Sequence, residues 1–352
     1  MSLKTIIVGE EMFEVIHWEE KLRWNKIVDS FLERDIYFSH DYFASSLLLD
    51  KGEPVLFYFE NEEGRVAYPT LKRKIESISE AKLYDVTTPY GYGGILVDNL
   101  TGEKELFSQF RKSVDEYCTT NNIISEFIRF HPILCNQRNL DDMDILHIRD
   151  TIEMKLQQGM DILDEIPGKN RNMIRKAKKN GIVIREIDKD ENMDDFLSIY
   201  YSTMKRNDAT SYYYFKEEYF KEAFKLLDSN LHLFGAYIEG KMISASLIFT
   251  YGDFMHYHLS GTLKEYLSLG ANNLLLFEVA EWGRKRGVKS LHLGGGYSGN
   301  EDSLYKFKKS FSKLEPLKFY IGKKIHNPKL YKKLVIEKNI TEDNGFFPLY
   351  RS

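Results

Sequence analysis

The apolar and polar positions of the N-terminal half alternate with periods that mark helices and strands in turn. Apolar residues recur every three to four positions in "WEEKLRWNKIVDSFLERD" and "GEKELFSQFRKSVDEYCTTNN", as on helices with one buried face. Between them, "PVLFYFENEEGRVAYPTLKRKI" holds two strand-like runs around Asn61 and Gly64, which favour a tight turn. The strand-like segments "AKLYDVTTPYGYGGILV" and "ISEFIRFHP" complete an α/β pattern.

The C-terminal half repeats this order. Helical "FLSIYYSTMKR" and "FKEEYFKEAFKLLD" precede a hairpin turning at Gly240, the strand "FMHYHLSGT", the helix "GANNLLLFEVAEWGRKRG" and the strand "KSLHLGGG". We therefore predict two copies of one α/β domain, over residues 1–160 and 161–352. The boundary is expected where Gly159, Pro167 and Gly168 interrupt the pattern. Chance resemblance between two ordinary α/β halves is the alternative.

Composition places the chain among globular proteins. It has 352 residues, of which 43% are hydrophobic and 29% charged, and a formal net charge of −4. An anionic ligand must therefore bind a local basic patch. The cysteines are Cys118 and Cys135, and no apolar run approaches the roughly 18 residues of a membrane span. We expect a cytoplasmic protein with no integral membrane segment.

The glycine-rich segment "SLHLGGGYSGNEDSLYKFKKSF" carries Gly294, Gly296 and Gly299 in G-x-G-x-x-G spacing behind a strand. A dinucleotide site also needs an acidic residue after the next strand, but that stretch ends in Lys323 and Lys324. The glycines instead admit a ligand backbone at Gly294, Gly295 and Gly296, or they form a plain strand-to-helix turn. Candidate caps for the short helix that follows are Asn300, Asp302 and Ser303.

Other common catalytic motifs are absent from the sequence. It contains no H-E-x-x-H, no C-x-x-C pair, no G-x-S-x-G and no P-loop. No metal and no firmly bound cofactor are implied.

Several segments together resemble one known family. At "NRNMIRKAKKNGIVIREI", "YHLSGTLKEYLSLGANNLLLFEVAEWGRKRGVKSLHLGGG" and "DSLYKFKKSF" the chain resembles FemAB-type aminoacyltransferases, which build peptidoglycan cross-bridges, and relatives with a FemAB-like acetyltransferase domain. "PYGYGG" and "SEFIRFHPILCN" look like corresponding segments of those relatives. The resemblance implies tandem GNAT-like acyltransferase domains. It also implies transfer of an aminoacyl or acyl group to an amine of a peptidoglycan precursor or a similar small acceptor.

The chain departs from its relatives in two places. The long charged helical-hairpin arm of some family members has no counterpart here. The R/Q-x-x-G-x-G/A loop that binds coenzyme A in ordinary GNAT enzymes is degraded around "SLGANN". The donor implied is aminoacyl-tRNA or acyl-CoA, and the degraded loop counts against acetyl-CoA.

The resemblance also implies catalytic residues. Phe307 and Lys308 match the Phe-Lys pair that the family places at its catalytic centre. An amine attacking an ester develops negative charge on the carbonyl oxygen, which a fixed ammonium stabilises. Tyr257 and His258 fall on the strand that lines the acyl site of a GNAT-like domain, on opposite faces, where either orients the amine or passes its proton. The alternatives are a solvated lysine and a half-buried structural histidine.

Basic and aromatic residues are candidates for substrate binding. Arg171, Arg175 and Lys176 lie in a basic helical run that suits the phosphates of a nucleotide-linked acceptor or a tRNA, or that is simply a solvated face. The family keeps a substrate-contacting arginine in the kind of segment that holds Arg206. Tyr90 and Tyr92 are candidates to wall an acceptor cleft between the domains, although structural roles are the alternative.

Two rival functions remain open on the sequence. One is an acyl-CoA-dependent GNAT N-acetyltransferase. The other is a non-catalytic protein that binds a nucleotide or tRNA with a GNAT-like fold, since a fold alone does not fix a function. We further expect the main cleft to be lined by Arg206, Tyr257 and the Gly294–Gly296 turn.

Overall fold

The computed structural model describes residues 6–8, 11–77, 82–99, 102–297, 301–342 and 345–352. Its strands in chain order are β1 (Ile6–Val8), β2 (Glu11–His17), β3 (Glu53–Asn61), β4 (Gly64–Ile75), β5 (Leu83–Thr87), β6 (Leu96–Asn99), β7 (Ile123–Arg129), β8 (Asp144–Lys155), β9 (Val183–Ile187), β10 (Leu231–Ile238), β11 (Lys241–Tyr251), β12 (Phe254–Thr262), β13 (Ser290–Gly294) and β14 (Leu317–Ile325). Its α-helices are α1 (Lys21–Asp29), α2 (His40–Ser46), α3 (Glu103–Thr120), α4 (Ile162–Glu165), α5 (Gly168–Lys179), α6 (Met193–Arg206), α7 (Glu217–Leu227), α8 (Ala271–Lys285), α9 (Ser303–Lys309) and α10 (Pro328–Glu337).

The chain divides into two compact units. The first unit comprises Met1–Ile148 and Phe319–Ser352, and the second comprises Arg149–Lys318. The sheet of the first unit has the order β1-β2-β3-β4-β5-β7-β14, with β6 paired to β4. Neighbouring strands run antiparallel except for β5 and β7, which are parallel.

The sheet of the second unit has the order β8-β13-β12-β11-β10-β9. Its pairs are antiparallel except for β12 and β13, which are parallel. Parallel neighbours need a long crossover, and α8 supplies it here as α3 does in the first unit.

The order of elements repeats between the units, as the sequence predicted. The first unit runs β2, α1, α2, β3, β4, β5, α3, β7, and the second runs β9, α6, α7, β10, β11, β12, α8, β13. The hairpins β3–β4 and β10–β11 turn where glycine was expected, at Gly64 and Gly240. Gly240 has a φ of +80°, a value that favours glycine. That the two units superpose closely stays a prediction.

The unit boundary differs from the predicted ranges 1–160 and 161–352. The end of β8 pairs with β13 of the second unit, so the chain enters that unit at Arg149. The tail returns to the first unit because β14 pairs with β7. Gly159 and Pro167 flank only the segment around α4. The boundary between the units is decided instead by the pairing of β8 with β13, which are far apart in the sequence.

The C-terminal residues explain why the tail stays in the first unit. The Tyr350 hydroxyl donates to the Asp85 carboxylate at 3.0 Å and lies 2.8 Å from the hydroxyl of Ser125. Arg351 donates to the same carboxylate at 2.5 Å, and Asp85 is fully buried. The buried carboxylate is therefore paired, which makes its burial tolerable.

Each unit has its own apolar core. In the first unit, Phe110 and Val114 of α3 pack into a cluster with Phe57 and Ile128 of the sheet. In the second unit, α8 is buried along most of its length and packs into a cluster that includes Ile248, Leu291 and Leu293. Burial of α8 fixes the crossover that leads into β13.

A buried ion network underlies α3. Arg111 donates to both Glu126 oxygens at 2.9 and 2.8 Å and to Asp142 at 2.9 Å. Burial alone would raise the pKa of Glu126, but Arg111 and His326 hold that pKa well below its usual range. The Nε2 of His326 lies 3.3 Å from Glu126, yet it is not aligned for a hydrogen bond. Arg111 therefore dominates the pairing.

Glu126→Gln should destabilise the first unit by about 3–5 kcal/mol, because Arg111 keeps its charge in a buried site without its main partner. Hydrogen exchange of the α3 and β7 amides measures this free energy within the unit. Glu116→Gln, at an exposed position of the same helix, should change it by less than about 0.5 kcal/mol. Equal exchange in both variants would contradict the assignment.

Candidate active site

The site is built on β12, which is irregular at its centre. The register of β12 against β11 shifts between Leu247 and Ile248, so that Leu259 and Tyr257 have partners and His258 is the extra residue of a bulge. The Tyr257 hydroxyl meets Asn272 of α8, whereas Nε2 of His258 lies 3.0 Å from the Tyr219 hydroxyl of α7. Tyr257 and His258 therefore face opposite sides of the sheet, as predicted.

Tyr257 is held by a small polar network. Its hydroxyl accepts from Asn272 Nδ2 at 3.0 Å and shares a short hydrogen bond with the Ser260 hydroxyl. Burial raises the pKa of Tyr257, and the hydrogen bonds from Ser260 and Asn272 offset only part of that rise. The phenol is therefore neutral and fixed in orientation near neutral pH.

His258 is separated from this network. Burial, with a smaller contribution from His256, lowers its pKa to about 3, so the ring is neutral at pH 7. Its ring also lies 4.1 Å from that of Phe249. The structure thus places His258 in an aromatic pocket against α7, away from Tyr257, and its catalytic assignment stays a prediction.

Lys308 lies on α9 with 9% of its surface exposed. Its Nζ donates to the Gly295 carbonyl at 2.7 Å and lies 5.8 Å from the ring centroid of Tyr257. Burial lowers the pKa of Lys308 to about 7, an effect that Asp302 opposes and Arg149 reinforces. Because Lys308 is buried, the solvated alternative is wrong for this residue.

The backbone and the close neighbours of the three glycines at the end of β13 favour glycine at these positions. A Cβ on Gly296 would lie 2.5 Å from both carboxylate oxygens of Asp302, and one on Gly295 would lie 2.9 Å from the Asp150 carbonyl. Gly294 has a φ of +74°. Close packing at Gly295 and Gly296 and the positive φ of Gly294 therefore explain the three glycines without a ligand, and their role in substrate binding stays a prediction. Gly299 and Asn300 lie outside the described residues.

Asp302 is the residue that caps α9. Its Oδ1 accepts from the Tyr305 amide at 2.8 Å and its Oδ2 accepts from the Tyr297 amide at 2.6 Å. Phe307 on the same helix packs edge-on against Phe311 at 5.3 Å and belongs to the apolar cluster of the second unit. The contacts of Phe307 are therefore those of a core residue that holds α9 in place.

Arg206 and Tyr297 extend the site. Arg206 ends α6 and donates Nη1 to the Thr262 carbonyl at 2.6 Å, and its neighbour Asn207 donates to the Tyr297 hydroxyl at 2.7 Å. Burial and Asp302 raise the pKa of Tyr297, while Arg206 lowers it. We call Arg206, Tyr257, Tyr297, Asp302 and Lys308 the Lys308 site.

Sequence reasoning missed Tyr297 and Arg149. An aromatic residue directly after the glycines was the available signal for Tyr297. Arg149 lies on β8, and its Nη1 donates to the Gly296 carbonyl at 3.2 Å. The two residues are far apart in the sequence, so no local pattern reveals this contact.

The basic helix α5 lies beside this site. Asn170 of α5 donates to the Ser310 carbonyl at the end of α9 at 2.9 Å, and Asn273 of α8 donates to Asn170 at 2.7 Å. Arg175 is exposed, and Arg171 makes a long contact of 3.8 Å to Asp164. Lys176 donates to the Ser268 carbonyl. The helix buries Ile174 and Ala177 and presents its cations outward.

Tyr90 and Tyr92 lie in the first unit. Tyr90 donates its amide to Asp50 at 2.7 Å, and its carbonyl accepts from the Tyr42 hydroxyl at 2.5 Å. Tyr92 packs edge-on against Tyr37 and Phe319. Both tyrosines therefore have structural contacts, and an acceptor-binding role stays a prediction.

A cavity of about 710 Å³ lies elsewhere, in the first unit, along α3 and residues 139–142. Its lining includes Lys104, Lys112, Glu116 and Asp141. None of the predicted site residues lines it, so this cavity is not the cleft that the sequence led us to expect.

The second unit is similar to a known domain family. Residues 168–309 match the acetyltransferase (GNAT) domain family. The chain is 26% identical over 308 residues to the UDP-N-acetylmuramoylpentapeptide-lysine N(6)-alanyltransferase of Weissella viridescens, over 80% of this chain and 88% of that relative.

Solved structures share the fold. FemX matches with a TM-score of 0.68 at 15% identity, over 92% of this chain and 100% of FemX. The C-terminal domain of a putative lysylphosphatidylglycerol synthetase from Agrobacterium fabrum matches with a TM-score of 0.53 at 12% identity, over 94% and 98% of the two chains. A tandem GNAT protein from the clavulanic acid pathway matches with a TM-score of 0.51 at 9% identity, over 91% and 99%.

These comparisons confirm the predicted α/β fold of GNAT-like domains, the FemAB-type resemblance and the assignment as an acyltransferase. Within the described part of the chain, no helix is both long and apolar enough to span a membrane.

Proposed function

We propose that this acyltransferase, a homologue of a Fem-type alanyltransferase, moves an aminoacyl group from aminoacyl-tRNA onto an amine of a nucleotide-linked cell-wall peptide precursor. One observation carries the proposal: a lysine ammonium is buried beside Tyr257 in the unit that matches the GNAT family. The alanyltransferase relative supports the acceptor, because its name specifies a lysine amine of a UDP-linked muramoyl pentapeptide.

The reaction needs a cation where Lys308 lies. The acceptor amine attacks the ester carbonyl carbon, forming the C–N bond while the carbonyl electrons move to oxygen. Collapse then breaks the ester C–O bond and releases the ribose hydroxyl, which takes the proton that the amine loses. An ammonium has three donors, and Gly295 uses one. The remaining donors suit the developing oxyanion in a site with little water to compete.

Two other residues of the Lys308 site suit binding and orientation. Arg206 uses Nη1 on the Thr262 carbonyl, and its remaining donors suit an anionic group of the acceptor. Tyr257 is a neutral phenol held by Asn272 and suits a hydrogen bond to the attacking amine or to the ester. We assign these two residues to positioning the substrates.

The turn before α8 favours aminoacyl-tRNA over acyl-CoA as donor. A helix N-terminus is where phosphate groups usually bind, and Gly270 precedes α8 with a φ of +76°. The Met173 carbonyl of α5 lies 2.9 Å from the position of a Cβ on Gly270, and Lys176 donates to Ser268 in the same turn. Because α5 packs against this turn, we infer that it hinders a coenzyme A pyrophosphate from binding there.

The same helix suits a polyanionic donor. Arg171 and Arg175 lie one turn apart on α5. Asn170 of the same helix donates a hydrogen bond to the Ser310 carbonyl at the end of α9, the helix that carries Lys308. A phosphate backbone bound along α5 would keep the 3′ end of an RNA near that lysine.

Lys308→Met should lower kcat by about 10²–10³, with KM for the acceptor nearly unchanged, because the ammonium acts on charge that develops during transfer. The assay offers aminoacyl-tRNA and acyl-CoA separately, each with a UDP-linked muramoyl pentapeptide. Lys306→Met is the matched control on the exposed side of α9 and should keep wild-type kcat.

Two results would count against this account. Wild-type kcat in Lys308→Met would remove that lysine from the mechanism, and turnover with acyl-CoA alone would replace the proposed donor. No transfer from either donor, together with measurable nucleotide or tRNA binding, would favour the non-catalytic alternative.

The double substitution Arg171→Gln and Arg175→Gln should raise KM for aminoacyl-tRNA and leave kcat nearly unchanged. It should reduce the slope of log affinity against log salt by about 2, because each arginine that neutralises one phosphate contributes about one unit to that slope. Lys225→Gln with Lys285→Gln removes two exposed charges from other helices of the unit as a control. An unchanged salt slope would show that α5 does not contact the donor.

A further inference from the structure

The turn at Gly295 and Gly296 is held at three successive residues. The Gly295 carbonyl accepts from Lys308 Nζ at 2.7 Å, and the Gly296 carbonyl accepts from Arg149 Nη1 at 3.2 Å. The Tyr297 amide donates to Asp302 at 2.6 Å. Two cationic side chains and one carboxylate therefore bind the backbone of residues 295–297, whose first two residues are glycines.

Asp302 joins this turn to the helix that carries Lys308. One of its carboxylate oxygens caps α9 through the Tyr305 amide, while the other holds Tyr297. The close approach of Asp302 to Gly296 leaves no room for a Cβ there. A displacement of Asp302 would therefore shift α9 and the turn together.

Arg149 contacts the turn from the neighbouring strand. It belongs to β8, whose residues 152–155 pair with β13 and so fix its position relative to the strand that precedes the turn. A Cβ on Gly295 would lie 3.1 Å from its Cδ. Arg149 thus lies along the glycine backbone and places a second cation near Lys308.

We propose that Asp302 and Arg149 are a pair of positioning residues of opposite charge that hold the glycine turn and Lys308 together. The inference rests on the role given to Lys308 in the proposed function. Neither residue needs to touch a substrate, since both act through Lys308.

The electrostatics agree with the geometry. Burial lowers the pKa of Lys308 to about 7, Asp302 raises this pKa and Arg149 lowers it further. Among the described residues, the groups facing the ammonium are Asp302 before α9, Arg149 on β8 and the ring of Tyr257 on β12. Since the charged form stabilises the oxyanion, kcat should fall as pH rises through about 7.

The test compares pH profiles of kcat for the full chain and two variants. Asp302→Asn should move the alkaline fall of kcat to lower pH by on the order of one pH unit, because a nearby anion is removed. Arg149→Gln should move the fall to higher pH, because a nearby cation is removed. Opposite shifts from two conservative changes are a result that a purely structural role would not produce.

Asp161→Asn is the matched control. Asp161 caps α4 in the same unit, accepting from the Leu163 amide at 2.9 Å, and it is not among the groups that act on Lys308. Its variant removes the same charge from a helix start and should keep the wild-type profile.

The inference can fail separately from the proposed function. Unmoved midpoints in both variants, or an equal loss of rate at every pH, would overturn it while wild-type transfer still stands. If the wild type transfers nothing, the proposed function fails, and NMR titration of Lys308 in isotopically labelled proteins decides the inference without substrate. Equal titration midpoints in the three proteins would then overturn it, and opposite shifts would support it.

Discussion

The parallel pairing of β12 with β13 is the constraint on which the site depends. Parallel neighbours cannot be joined by a tight turn, so the chain must cross over through α8, whose apolar side is buried against the sheet. The crossover places β13 beside the strand that carries Tyr257, and β13 ends at Gly294. The turn and α9 follow directly, and they carry Lys308 back over the ring of Tyr257.

Two buried cations, Arg111 and Lys308, differ in the partners that surround their charges. Arg111 in the first unit is matched by Glu126 in a bidentate pair, and such pairing makes burial tolerable. Lys308 in the second unit donates to a neutral carbonyl, and burial moves its pKa down to about 7 although the Asp302 carboxylate opposes that shift. The first arrangement suits a structural role, and the second is the one that the proposed function assigns to catalysis.

Local features of the fold were predictable from the sequence, and long-range pairings were not. Turns at Gly64 and Gly240 depend on residues within a few positions, so sequence patterns found them, and Asp302 was one of three candidate caps for α9. The return of β14 to β7 and the reach of Arg149 to Gly296 depend on partners more than a hundred residues away. Lys308 was found through family resemblance, because a lysine in a basic run carries no local sign that it is buried.

The central claim is that Lys308 meets the oxyanion of the transfer reaction. A crystal structure with a phosphonate that joins an adenosine 3′ end to the acceptor amine would test it most directly, because the phosphonate oxygen takes the place of the oxyanion. We predict that one phosphonate oxygen lies about 2.7–3.1 Å from Lys308 Nζ. A bound analogue whose oxygens all lie beyond hydrogen-bond distance of Lys308, with Nζ still donating only to the Gly295 carbonyl, would contradict the claim.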